Sequence, residues 1–301
     1  MNENPTYGEV YAEGRARLTQ AGIEEAALDA RLLLEYVCGT DRNTLLAHED
    51  RAVSEEERRS FRQLIEKRAA RVPLQHLTGE QEFMGLTFSV NKDVLVPRQD
   101  TEVLVEEVMK QLHDGMRILD LCTGSGCILL SLLHYSNNCE GVGTDLSAGA
   151  LAVAKENYER LREERPEMEA RFLEGDLFAA LAAQKMPGVE KEAGPGEKFD
   201  IIVSNPPYIK ADVIGTLMPE VREHEPRMAL DGGADGLVFY RRIAKEAGTF
   251  LTGGGKLFFE IGCDQADCVK AIMEAAGFDE IHVVKDFAGL DRVVYGNWFR
   301  R

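Results

Sequence analysis

The chain has 301 residues and a formal net charge of −17 at pH 7. That length exceeds the usual ceiling for one hydrophobic core, so two domains are expected. The acidic balance disfavours a long nucleic-acid duplex as partner, because phosphate contacts need clustered Lys and Arg, and no apolar run reaches the ~18 residues of a membrane helix.

The first residues, Met1-Asn2-Glu3-Asn4-Pro5, carry neither a basic n-region nor an apolar h-region, so a cytoplasmic location without a secretion signal is expected. Residues 1–77 read as a helical domain. Leu28, Leu32, Leu33, Tyr36 and Val37 suggest one apolar stripe. Ser54-Glu55-Glu56-Glu57 is a capping box opening a helix that turns Phe61, Leu64 and Ile65 inward. The same helix carries Arg58, Arg59, Arg62, Lys67, Arg68 and then Arg71. A solvated face with a Glu55–Arg59 pair is the plainer reading of this row, and a patch for a partner or RNA the sharper one. Residues 78–97 read as a linking β-hairpin, with strands near 86–90 and 94–96 turning at Asn91-Lys92-Asp93. Asp100 is expected to cap the next helix.

The catalytic region, 98–301, then begins. Arg117-Ile118-Leu119-Asp120-Leu121 reads as a buried strand, followed by Cys122-Thr123-Gly124-Ser125-Gly126 and a helical pattern from Cys127 to Tyr135. A glycine loop between strand and helix lets a ligand approach the backbone at a helix N-terminus. The next strand, Gly141 to Thr144, ends in Asp145, about 20 residues beyond the glycines, where a carboxylate can accept bonds from both ribose hydroxyls. A dinucleotide fingerprint would want a third glycine where Leu129 stands, and no Gly-Lys-Ser/Thr suggests a triphosphate loop. S-adenosylmethionine has a ribose and no phosphate, so it fits better than NAD or ATP. A strand from Ala170 to Glu174 leads to Gly175-Asp176-Leu177-Phe178. Asp176 could accept from an adenine amino group with Leu177 packed on the ring, or it could cap a helix. Gln184 to Lys198, with Pro187-Gly188 and Gly194-Pro195-Gly196, reads as a flexible excursion.

Phe199 to Ser204 is another continuous apolar run, the pattern of a parallel strand buried on both faces. It ends in Asn205-Pro206-Pro207-Tyr208, on the edge where open α/β sheets bind ligands. The chemistry of this turn suits gripping a planar NH₂ group. Asn205 offers a side-chain carbonyl and is held extended by the following proline. Pro206 lacks an N–H but keeps its carbonyl, and Tyr208 offers a flat face. An ordinary turn is the bland alternative. Ile209 to Gly236 is long and weakly periodic, as a lid or substrate loop would be. His224 and Glu225 within it are expected to serve packing rather than general-base chemistry. Strands near 256–261, 281–285 and 292–298 would complete a seven-stranded, mostly parallel sheet. The six cysteines (Cys38, Cys122, Cys127, Cys139, Cys263, Cys268) form no Cys-x-x-Cys, so they are expected to be reduced, mostly buried thiols, with no metal site.

The run Asp120 to Gly126, then Gly143-Thr144-Asp145, then Asn205-Pro206-Pro207-Tyr208 resembles class I S-adenosylmethionine-dependent methyltransferases acting on amide or amino nitrogen. Val96-Pro97-Arg98-Gln99-Asp100-Thr101-Glu102, His224-Glu225-Pro226-Arg227, Leu230 to Leu237, Glu260-Ile261-Gly262 and Asp286 to Arg292 narrow it. Together, from about Thr78 onward, they are similar to the PrmC (HemK) family of protein-glutamine methyltransferases that modify peptide chain release factors. The resemblance implies an α/β fold, with a Rossmann-like methyltransferase sheet whose last strand is antiparallel, a small N-terminal helical bundle that binds the release factor, and the hairpin between them. It implies methyl transfer from S-adenosyl-L-methionine, leaving S-adenosyl-L-homocysteine, to the glutamine of a Gly-Gly-Gln loop. Asn205, Pro206 and Tyr208 would be catalytic. Asn205, Pro206, Pro207 and Tyr208 would bind substrate, and Cys122, Thr123, Gly124, Ser125, Gly126, Asp145, Asp176, Leu177 and Asn205 would bind the cofactor. Cys122 stands where the family usually has glycine. Neither a stable nucleic-acid complex nor a membrane partner is expected. The rival readings are an amino-methyltransferase acting on an exocyclic NH₂ of DNA or RNA bases, a non-catalytic S-adenosylmethionine-binding scaffold, and a dehydrogenase.

Overall fold

A computed structural model describes residues 5–182 and 197–299. The predicted excursion at 184–198 lies outside the described residues except for Glu197 and Lys198. The chain forms two compact units, one of Met1–Glu80 with Met218–His224 and one of Gln81–Leu217 with Glu225–Arg301.

The first unit is helical: α1 (Tyr7–Gln20), α2 (Ala26–Cys38), α3 (Arg42–Ala47), α4 (Glu55–Ala69) and α5 (Leu74–Thr78). Capping boxes Thr6/Glu9 and Ser54/Glu57 open α1 and α4, each satisfying two backbone donors that a helix start leaves bare. Val10, Leu18, Ala30, Leu33, Leu34, Phe61 and Ile65 form the core. Gly14 lets α4 close on α1, since a Cβ there would stand 2.5 Å from Phe61 Cζ. The apolar stripe differs from the expected one. The buried face of α2 runs through Ala26, Asp29, Ala30, Leu33 and Leu34, while Leu28 and Tyr36 are 40% and 54% exposed. α2 is apolar on two sides, so pattern alone could not choose between them. Asp29 sits in the buried face because Arg68 Nε donates to its Oδ2 at 2.7 Å.

The basic row is largely neutralised. Arg68 and Arg71 each donate to Glu220 Oε1 at 3.1 Å, and Arg58 and Arg62 pair with Glu13 rather than Arg59 with Glu55.

The second unit opens with a hairpin, β1 (Glu80–Phe83) and β2 (Leu86–Ser89). Its turn is Met84-Gly85, with φ of +54° and +72°. Two positive φ angles match the right-handed twist of the strands, but Met84 lacks the usual Asn or Asp signal, so the hairpin was placed too far along. The apolar residues that suggested the second strand have another role: Val94 packs with Val90, Ala150 and Val153 outside any strand. Helix α6 (Gln99–Met109) starts after Arg98, with Asp100 in its first turn rather than at its cap, where it still favours the positive helix end.

The remaining elements are β3 (Arg117–Leu121), α7 (Cys127–His134), β4 (Glu140–Asp145), α8 (Ala148–Glu164), β5 (Glu169–Glu174), α9 (Ala179–Ala182), β6 (Phe199–Ser204), α10 (Pro219–His224), α11 (Arg227–Leu230), α12 (Val238–Phe250), β7 (Leu251–Glu260), α13 (Ala266–Ala276), β8 (Asp279–Lys285) and β9 (Asp291–Trp298). The seven-stranded sheet has the order β5-β4-β3-β6-β7-β9-β8. Pairings are parallel except around β9, which is antiparallel to β7 and β8. Alternate strand residues feed two cores. Ile201 and Phe258 belong to the core with Leu104 and Leu129, whereas Ile202 and Phe259 belong to the core with Tyr240 and Val269. Strands buried on both faces explain the continuous apolar runs. From β3 the chain proceeds to β4 and β5 on one side and returns to β6 on the other. The loops after β3 and β6 therefore diverge at the switch point, where α/β sheets open a crevice.

The cysteines are free, but only Cys127 and Cys139 are buried; Cys38 and Cys122 are half-buried, and Cys263 and Cys268 exposed. Cys268 lies on the solvent side of α13, away from Val269 and Met273, a position composition cannot foresee.

Candidate active site

At the end of β3 the chain turns sharply. Cys122, Gly124 and Gly126 have φ of +61°, +56° and +79°. A non-glycine residue at positive φ is held there by its surroundings, so Cys122 does adopt the loop's left-handed geometry, and burial raises its thiol pKa well above the usual range. A Cβ on Gly124 would meet nothing within 4 Å, whereas one on Gly126 would come within 3.3 Å of Ala154. Gly126 thus lets α7 and α8 approach. Thr123 Oγ1 donates to Asp120 Oδ2 at 2.6 Å. Asp120 is fully buried, its Oδ1 has no partner, and desolvation lifts its pKa to about 7.

Asp145 is tied to this loop. Its Oδ2 accepts from the Gly124 N–H and its Oδ1 from the Ser147 N–H, both at 2.9 Å. Each oxygen keeps a lone-pair site for a ligand hydroxyl. Burial raises its pKa against the lowering by these bonds. On the third loop, the Asp176 carboxylate accepts from Arg242 Nη2 at 2.7 Å, and Leu177, at φ +53°, is buried.

The loop after β6 is braced from several directions. Ser204 Oγ donates to Leu121 O at 2.6 Å, joining the ends of β6 and β3. Asn205 Nδ2 points to Thr101 Oγ1 at 3.4 Å. Gln265 Nε2 donates to Tyr208 O and Gly236 O, at 3.0 and 3.3 Å. Tyr240 OH donates to Glu260 O and meets Gln265 Oε1. The Tyr208 hydroxyl lies 3.5 Å from Glu260 Oε1 and its ring packs on the second core.

The flanking motifs act as brackets. One Arg98 nitrogen reaches both Glu225 oxygens, at 2.6 and 2.8 Å. Arg292 pairs with Asp100 and Asp286, at 3.1 and 3.0 Å. Sequence reasoning gave no role to Asn157, Thr101 or Gln265. Fully buried Asn157 donates to Ser125 O and Ser89 O and accepts from Ser89 N–H, so α8 clasps the glycine loop to β2. Its signal was available: an Asn in the register of Leu151, Ala154 and Leu161 needs a buried partner.

These loops enclose a cavity of about 330 Å³, within the range of small-molecule sites. Cys122, Thr123, Gly124, Ser125, Asp145, Asp176, Leu177, Asn205 and Pro207 all line it. Gly126 shapes the loop behind it, and Pro206 and Tyr208 are not among the lining residues. The long connection contributes Pro226, Met228 and Ala229, and α12 adds Phe239. His224 does not line it, and Glu225 is engaged by Arg98. No helix among the described residues is long and apolar enough to cross a membrane.

Comparison with known proteins identifies relatives along nearly the whole chain. Residues 9–79 match the PrmC N-terminal domain and residues 112–275 a methyltransferase domain. The release factor glutamine methyltransferase of Caulobacter vibrioides is 42% identical over 293 residues, covering 97% of this chain and 96% of that one. That of Geobacter sulfurreducens is 40% identical over 299 residues, covering 98% and 99%. A crystal structure of the release factor-specific protein-(glutamine-N5) methyltransferase from Alicyclobacillus acidocaldarius is 30% identical with a TM-score of 0.40, covering 71% of this chain and 100% of that one. With such identity sustained along nearly its whole length, the chain belongs to the release factor glutamine methyltransferase family.

Proposed function

We propose that this protein methylates the side-chain amide nitrogen of the glutamine in the Gly-Gly-Gln motif of peptide chain release factors, in the cytoplasm, using S-adenosyl-L-methionine. The observation that carries this reading is Asn205, which lines the same cavity as Asp145 with its NH₂ turned to Thr101, so that its oxygen is left for a donor. The cavity fits the cofactor. The space over Gly124, which a Cβ would occupy, admits a ligand against the backbone, and Asp145 retains acceptor sites for ribose hydroxyls. Leu177 and Phe239 offer apolar walls for a base, with the second Asp176 oxygen as acceptor for its amino group. When bound, the cofactor supplies an electrophilic methyl on a sulfonium.

The chain's own residues do the rest by position. An amide nitrogen is a poor nucleophile because its lone pair is delocalised into the carbonyl. The Asn205 oxygen and the Pro206 carbonyl would each accept one of its N–H bonds, fixing its direction and supporting the positive charge that develops during attack. The proton becomes acidic once the methyl has arrived, so no strong base is required. Functionally we divide the chain into a release-factor-binding domain (1–77), a hairpin linker (78–97) and the methyltransferase domain (98–301). The match to the PrmC N-terminal domain supports the first assignment.

The test is transfer of labelled methyl to purified release factor, with tRNA and DNA in parallel, followed by mass spectrometry. A methyl on the glutamine of the Gly-Gly-Gln loop is expected. Label in nucleic acid alone would overturn the substrate assignment.

A further inference from the structure

A carboxamide is nearly symmetric in shape. A half-turn about its last torsion exchanges Oδ1 and Nδ2 and would present two donors to a target that also needs acceptors. The chemistry proposed above therefore requires that something fix the direction of Asn205. Thr101, on α6 and only 2% exposed, has its hydroxyl 3.4 Å from Asn205 Nδ2. A hydroxyl alone would not choose, because it can accept from Nδ2 or donate to Oδ1.

The next group bears on the choice. Glu260, at the end of β7 and 2% exposed, has its carboxyl beside the Thr101 hydroxyl; burial pushes it up to about 7, against the hydroxyl, which favours the charged form. Its Oε2 has no hydrogen-bond partner. Tyr208 OH meets Oε1 at 3.5 Å, and the Arg292 guanidinium also favours ionisation. A carboxylate can only accept. Ionised, Glu260 would draw the single proton of Thr101, which would leave the Thr101 oxygen only able to accept from Asn205.

We infer that Thr101 and Glu260 are positioning residues that lock the Asn205 carboxamide with its NH₂ turned inward and its oxygen toward the target amide. This inference rests on the amide-methylation reading and extends it to two residues outside the substrate-contacting tetrapeptide.

The experiment compares full-length wild type, Thr101→Val, Thr101→Ser and Glu260→Gln. The first readout needs no turnover: solvent exchange of the Asn205 side-chain NH₂ protons by ¹⁵N NMR, assigned by their disappearance in Asn205→Ala. Exchange should be slow in wild type and Thr101→Ser, and ~10-fold or more faster in Thr101→Val, the scale of one lost hydrogen bond. The second is steady-state kinetics. Thr101→Val should lower kcat by ~10-fold while KM for the release factor and cofactor affinity stay within about twofold, and Thr101→Ser should recover most of the loss. Glu260→Gln, which can donate as well as accept, should show a smaller change of the same kind with Thr101 intact. It carries the test if Thr101→Val does not fold. Unchanged exchange and kcat in Thr101→Val and Glu260→Gln would overturn the inference. If wild type puts no methyl on glutamine, the substrate reading fails, and the exchange measurement still decides the orientation.

Discussion

Asn205 and Asp145 line one cavity, yet each should govern a different quantity. Asn205 is proposed to meet charge that exists only as the methyl transfers, so Asn205→Ala should lower kcat by ~100-fold or more with cofactor affinity within a few-fold. Asp145 would bind ribose equally before and during the reaction, so Asp145→Ala should weaken cofactor affinity by ~10-fold or more, the scale of hydrogen bonds to a charged group, and change saturated turnover less. Titration calorimetry with the cofactor and single-turnover rates separate the two. Near-normal turnover in Asn205→Ala would sink the scheme. Both residues were legible because their signals are local: an apolar strand, then an acceptor at its carboxyl end. Thr101 was not, since its contact with Asn205 spans 104 residues and a threonine early in a helix looks unremarkable by itself.

Among the elements, the segment from Leu230 to Leu237 was recognisable as a motif while its purpose was hidden. Its glycines allow backbone to lie against backbone. A Cβ on Gly232 would stand 2.7 Å from Tyr208 Cα, and one on Gly236, at φ +74°, 2.4 Å from Tyr208 O. Gly236→Ala should therefore combine left-handed strain with a clash that pushes the Asn205–Tyr208 loop outward, lowering stability by ~2 kcal/mol or more and turnover with it. Gly253→Ala is the control, because a Cβ there meets nothing within 4 Å. Thermal melts and kcat for the pair check this, and a Gly236→Ala protein as active and stable as Gly253→Ala would contradict the packing argument. Strands β3 and β6 were readable because burial on both faces makes them mostly apolar, whereas edge strand β5 is buried only at Phe172 and Leu173. The β1–β2 hairpin was misplaced because its turn has Met84 at positive φ, and the α2 face because that helix is apolar on two sides.

Across the whole molecule, a net charge of −17 says how many carboxylates outnumber the cations, not where the expensive ones are. Two of them, Asp120 and Glu260, are buried with one oxygen unpartnered and pKa values pushed to about 7 by desolvation. Such a group holds its proton more tightly folded than unfolded. Its stabilising effect is complete below the ordinary value, 3.8 for Asp120 and 4.5 for Glu260, and is lost as pH rises through about 7. The groups facing Glu260 are Arg292 from β9, Asp100 and Thr101 from α6, and Tyr208 from its own loop; burial, aided by Asp100, outweighs the Thr101 hydroxyl, the Arg292 guanidinium and the Tyr208 hydroxyl, which favour ionisation. Glu260→Gln, whose side chain stays neutral, should gain stability over wild type as pH rises from 5 to 8, by up to ~3 kcal/mol. Wild-type turnover should rise through the same window as Glu260 ionises and locks Asn205, and Glu260→Gln should lose that rise. The two trends together distinguish a carboxylate retained for catalysis at a cost in stability from one that merely fills space. Melting curves at several pH values paired with kcat profiles test it: a stability gap that stays flat with pH would mean that Glu260 does not titrate in this window, and a gap that shrinks as pH rises would reverse the sign of the argument.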